Sequence, residues 1–126
     1  MNDQTTTIQK IKDLVDKFRS ERNWRRHHSS KNLAVSIAIE AAELMEHFHW
    51  DEYQEKNNED LECELADIMI YCLYFAISNN IDIAKAVKKK VDKIAKKYPV
   101  KIFNHKKDDA KEYWRIKKNY RKQKTT

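Results

Sequence analysis

Two acidic pairs carry the most chemistry in this chain: Glu40 and Glu43 within IAIEAAELMEHFHW (37–50), and Glu64 and Asp67 within LECELADIMIY (61–71). A three-residue spacing puts both members of a pair on one side of a helix, one turn apart. Glu40 projects between Leu33 and Leu44 on an apolar arc of Leu33, Ile37, Ala41, Leu44 and Phe48, and Glu43 borders that arc. Glu64 projects likewise between Leu61 and Tyr71, on an arc of Leu61, Leu65, Ile68, Cys72, Phe75 and Ala76, with Asp67 at its edge. If the two helices face each other, four carboxylates meet. Like charges about 4 Å apart repel by about 4 kcal/mol at an effective dielectric of 20, so the cluster calls for a cation. Oxygen-only ligands suit Mg²⁺, with Mn²⁺ as the alternative, and Mg²⁺ characteristically takes phosphate oxygens as further ligands. An isolated ExxE pair usually lies on a solvated helix face; two such pairs on apolar arcs point to a site.

A di-iron carboxylate bundle also turns glutamates inward, but it needs two Glu-x-x-His motifs. Glu46–His49 alone has that spacing, and it projects away from Glu40. His47 shares the Glu40 side and reads as a hydrogen-bonded boundary residue rather than a ligand. Trp24 precedes the second helix and Trp50 ends it, so the two could stack a planar base between them. Arg25, Arg26, His27 and His28 follow Trp24 and suit phosphate groups. Without the acidic cluster they would read as a solvated charge run.

Four helices must position these residues, and the periodicity predicts them over about 5–22, 31–50, 59–78 and 81–98. Thr5 to Thr7 and Ser29 or Ser30 offer caps, Ile8, Ile11, Val15 and Phe18 form the first stripe, and Pro99 stops the fourth helix. The 126 residues contain no glycine, which excludes glycine-rich phosphate loops, so the expected fold is all-α, a four-helix bundle with polar connections. The charge is uneven: residues 1–100 hold 16 Lys/Arg against 17 Asp/Glu, whereas 101–126 hold 10 against 3. A domain over 1–105 and a basic tail over 106–126 follow, the tail adding a short helix through Trp114. Cys63 and Cys72 stand nine apart on one helix, too far to bridge, which suggests reduced thiols. The start MNDQTTT has no basic and apolar leader, and no run approaches 18 apolar residues, so the expected location is the cytoplasm, with no membrane contact.

The ordered segments FRSERNWRRHHSSKNLAVSIAIEAAELMEHFHW, ELADIMIYCLYFA and KKYP resemble the MazG-like all-α nucleotide pyrophosphohydrolases, most closely the dCTP pyrophosphatase branch. The resemblance covers about residues 8–100. It implies Mg²⁺-dependent cleavage of a nucleoside triphosphate between its α and β phosphates, with dCTP or a modified dCTP the expected substrate. By analogy Glu40, Glu43, Glu64 and Asp67 hold the metal, and either Glu40 or Glu43 serves as general base. Trp24 and Trp50 would enclose the base, Trp24 through His28 and Tyr71 would contact substrate, and Lys90 would lie near the phosphates. The resemblance also implies a homodimer or homotetramer. The chain departs from similar members at Ile94, where they often carry Asn, and at Val15, where they carry His. The rival reading is a non-catalytic nucleic-acid or partner-binding module acting through the tail, whose lysines and arginines interleave with Tyr113, Trp114 and Tyr120. The enzyme is preferred, with nucleic acid disfavoured as a partner.

Overall fold

A chain without glycine must end its helices by other means, and here asparagine does so. In the computed structural model, which describes residues 1–49, 58–103 and 109–125, α1 spans Ile8–Glu21, a 3₁₀ turn follows at Trp24–His27, and α2 spans Ser30–Glu46. Helix α3 covers Asn58–Ser78, α4 Ile83–Lys97 and α5 Ala110–Lys124. Thr7 accepts the Lys10 N–H at 3.2 Å and Ser29 accepts that of Asn32 at 3.1 Å, so α1 and α2 start at the hydroxyl caps. Asn23, just past α1, has φ 54°, and Asn80, just past α3, has φ 52°. After Asn80 the Ile81 N–H returns to the Ala76 carbonyl at 2.8 Å, a left-handed helix stop that asparagine tolerates best after glycine.

The first of two compact units, Met1–Ile83, contains α1 to α3, with α2 lying along α3 and α1 packing on α3. Its core joins Val15, Leu33, Leu73 and Tyr74, with Ile11, Ile70, Tyr71 and Phe75 partly buried around them. The inward side of α3 matches the projected arc at Ala76, which is buried, but Leu73 and Tyr74, off that arc, are buried too, whereas Leu65 is exposed. Helix α3 carries apolar residues on nearly every side, so periodicity alone does not select the face that packs.

The second unit, Ala84–Thr126, contains the rest of α4 and α5. The four expected helices and the tail helix are all present, five α-helices among the described residues, three of them building the first core. Helix α5 runs ten residues past Trp114, because Tyr113, Ile116 and Tyr120 continue a helical stripe through good helix formers with no breaker. Within this unit Tyr98 stacks on Tyr113 at 5.3 Å and 17°, beside a groove lined by Lys90, Lys97, Lys117 and Arg121. Among the described residues no helix is long and apolar enough to cross a membrane.

Candidate active site

Helices α2 and α3 lie against each other, and this brings their acidic pairs together. Ligand oxygens of Glu40, Glu43 and Glu64 all lie within 4.8 Å of one another. Asp67 belongs to the same electrostatic group: the Glu40 carboxyl is held above the usual carboxylate range first by burial, then by the charges of Glu43 and Asp67, a hydrogen bond with Glu43, and Glu64. Among the described residues no lysine or arginine forms an ion pair with any of the four. A crowd of carboxylates that raises one member's pKa, with no cationic side chain against it, fits a hard divalent cation. His47 lies against Glu64 at 3.4 Å, Nε2 to Oε1, and so contacts a candidate ligand. Glu46, which the sequence projection turns away from Glu40, borders the open hollow that Glu43, His47 and Glu64 also line.

Beside this cluster is a cavity of about 460 Å³. Trp24, His28 and Tyr71 line it, and Asp67 reaches its edge, so one residue touches both the acidic group and the recess. Phe18 meets Trp24 edge-on at 5.5 Å, and Tyr74 closes the cavity with its ring 4.9 Å from His28. The Trp24 ring is placed by Asn23, whose left-handed turn ends α1 and starts the 3₁₀ segment.

The other residues selected from sequence have different surroundings. Arg25 pairs with Asp16, and the Arg26 Nε–H donates to His27 at 3.0 Å; all three residues of that run are exposed, and none lines the cavity. The charge of Arg25 is therefore already partnered. Lys90 sits in the second unit, in the basic groove. Trp50 lies outside the described residues. Phe18, Tyr74 and Arg19 border or support the cavity without a motif that marks them in the sequence. Arg19 does carry a signal of another kind, since it projects 40° from Val15 on the stripe of Ile8, Ile11 and Val15, where a cation is as anomalous as Glu40 is on its own arc.

Glutamates gathered from two packed helices beside an aromatic recess define a helical protein with a candidate cation site. The chain belongs to the MazG-like family, whose model it matches over residues 35–115. It is 32% identical over 104 residues to dCTP pyrophosphatase 1 of Rattus norvegicus, an alignment covering 76% of this chain and 61% of that protein. The Homo sapiens protein of the same name is 29% identical over the same length. The chain thus spans about 61% of the curated relatives it matches. A crystal structure of a pyrophosphatase from Archaeoglobus fulgidus superposes with a TM-score of 0.71 at 37% identity, covering 79% of this chain and 98% of that one.

Proposed function

We propose that this protein hydrolyses a pyrimidine nucleoside triphosphate, dCTP or a modified dCTP, to the monophosphate and pyrophosphate. The observation that carries the reading is the placement of Asp67 between the Glu40–Glu43–Glu64 cluster and the cavity of Trp24, His28 and Tyr71. Phosphates at the carboxylates and a base in the recess would be the two ends of one ligand. The names of the relatives, dCTP pyrophosphatase 1 and a pyrophosphatase, support the same reading. Glu40, Glu43, Glu64 and Asp67 would hold Mg²⁺, or Mn²⁺ in its place. When bound there, the ion supplies charge neutralisation for the phosphates and acidifies a bound water. Glu43 or Glu40 would take the proton of an attacking water as its oxygen bonds to the α-phosphorus in line; the bond from the α-phosphorus to the bridging oxygen breaks, and pyrophosphate leaves. Tyr71 and Trp24 hold the base, and Trp50 is assigned to it on the resemblance alone. Arg25, Arg26 and His27 are assigned to the phosphates on residue type, and Lys90 on the resemblance.

A homodimer or homotetramer accompanies this reading. Helix α2 has a second apolar side opposite Leu33, formed by Val35, Ala42 and Ile39, the last 51% exposed, and Met69 of α3 is also 51% exposed. Such stripes on a monomer are normally covered by a partner, here a second copy. Ile39→Lys is expected to shift the sedimentation coefficient to that of a monomer; an unchanged coefficient removes this stripe from the interface.

The second reading, binding of nucleic acid through α5, is favoured by Trp114, which is 59% exposed beside Lys117 while the Tyr98 and Tyr113 faces are spent on each other. One panel separates the two. Pyrophosphate release from dCTP, dUTP, dATP and dGTP, measured with and without Mg²⁺, is expected to favour dCTP, to need the ion, and to survive removal of residues 106–126. Salt-sensitive oligonucleotide binding lost on that truncation, with no release from any triphosphate, would decide for the tail.

A further inference from the structure

Arg19, on α1, is the only charged residue buried among the described residues, 2% exposed. Its Nε donates to Asp16 at 2.8 Å, its Nη1 lies 3.2 Å from His28 Nδ1 and 3.4 Å from Ser78 Oγ, and its guanidinium covers the Tyr74 ring at 4.7 Å. Guanidinium has only donors and does not lose its charge in proteins. The His28 Nδ1 must therefore accept, and the ring's one hydrogen must sit on Nε2. No described side chain is hydrogen-bonded to Nε2, and His28 borders the cavity. Asp16, shared between Arg19 and Arg25, holds the guanidinium from its other end.

We infer that Arg19 is a positioning residue that fixes His28 as a neutral Nε2–H donor, so that the cavity recognises a carbonyl oxygen on the base it holds. This rests on the hydrolase reading of the cavity and adds the chemistry of selection. An imidazolium would attract phosphate as readily as a base, and an Nδ1–H tautomer would present a lone pair that repels a carbonyl. Neutrality has its own support: burial pushes the His28 pKa down, and the charges of Arg19 and then His27 add to the effect. Cytosine and uracil offer such a carbonyl; adenine has none.

The test reads His28 directly in the full-length chain. Long-range proton–nitrogen correlation at neutral pH is expected to show the hydrogen on Nε2; a hydrogen on Nδ1, or on both nitrogens, overturns the inference. Arg19→Met is expected to mix the tautomers and to weaken dCMP and dUMP binding about tenfold by calorimetry, leaving dAMP within twofold. Arg19→Lys keeps a buried cation and donor, guards against loss of folding, and is expected to retain the tautomer with dCMP binding within threefold. Mixed tautomers with unchanged dCMP affinity, or an equal loss for dAMP, also overturn it. If the tautomer and binding results hold while no triphosphate is cleaved, the hydrolase reading alone fails.

Discussion

Glu43→Gln is expected to lower the rate of pyrophosphate release from dCTP by ~10³-fold or more, the scale of losing a metal ligand or the general base. Glutamine keeps the shape of the side chain while removing its charge and its capacity to take a proton. Glu43 is exposed at the mouth of the hollow, so the fold has little reason to respond. The metal-free chain is expected to gain slightly in stability. Glu40 has its pKa raised, so its ionised form opposes folding, and stability falls as pH rises from the unfolded carboxyl value of 4.5 through the folded one. Removing the Glu43 charge relieves part of that loss at neutral pH. Mg²⁺ should raise the thermal midpoint of the parent chain, and Glu43→Gln should abolish most of that rise. Turnover within tenfold of the parent would remove Glu43 from both roles.

The same electrostatics explains why the acidic cluster is legible in the sequence. A carboxylate on an apolar arc is a local contradiction, and Glu40 and Glu64 each stand on one; a cluster across two helices resolves both. The recess was less legible. Trp24, His28 and Tyr71 could be selected, but Tyr74 falls off the projected arc and Phe18 reads as ordinary core, since nothing in a helical stripe distinguishes a residue that fills space from one that borders it. Helix α3 defeats projection because the buried Tyr74 lies across the helix from the exposed Leu65, and only packing with α1 and α2 decides which side is buried. Arg25 is a different case. Its type suits phosphate, yet Asp16, nine residues earlier in sequence and one turn-and-bend away in space, already pairs with it. Composition does not report partners that a chain reversal brings back.

Leu33→Ala should have the largest effect on stability. Leu33 is 0% exposed and joins Val15 of α1 to Leu73 and Tyr74 of α3, so its truncation leaves a void at the point where all three helices of the first unit meet. A loss of about 3 kcal/mol is expected, which reads as a lower urea midpoint with an unchanged slope. Leu33→Ile, which conserves volume, should lose less than about 1.5 kcal/mol. The two variants also separate support from chemistry. Leu33 stands seven residues before Glu40 on the same side of α2, and its neighbour Tyr74 closes the cavity, so a loosened α2 changes the spacing of the carboxylates across the helix pair without altering any of them. At a temperature where Leu33→Ala is still folded, the Mg²⁺ concentration for half-maximal rate should therefore rise several-fold, while the saturated rate falls less than tenfold, because bound metal draws the displaced ligands together again. A stability loss below about 1 kcal/mol would mean that α2 is held elsewhere. A saturated rate as low as that of Glu43→Gln would mean that the core sets the chemistry as strictly as the ligands do.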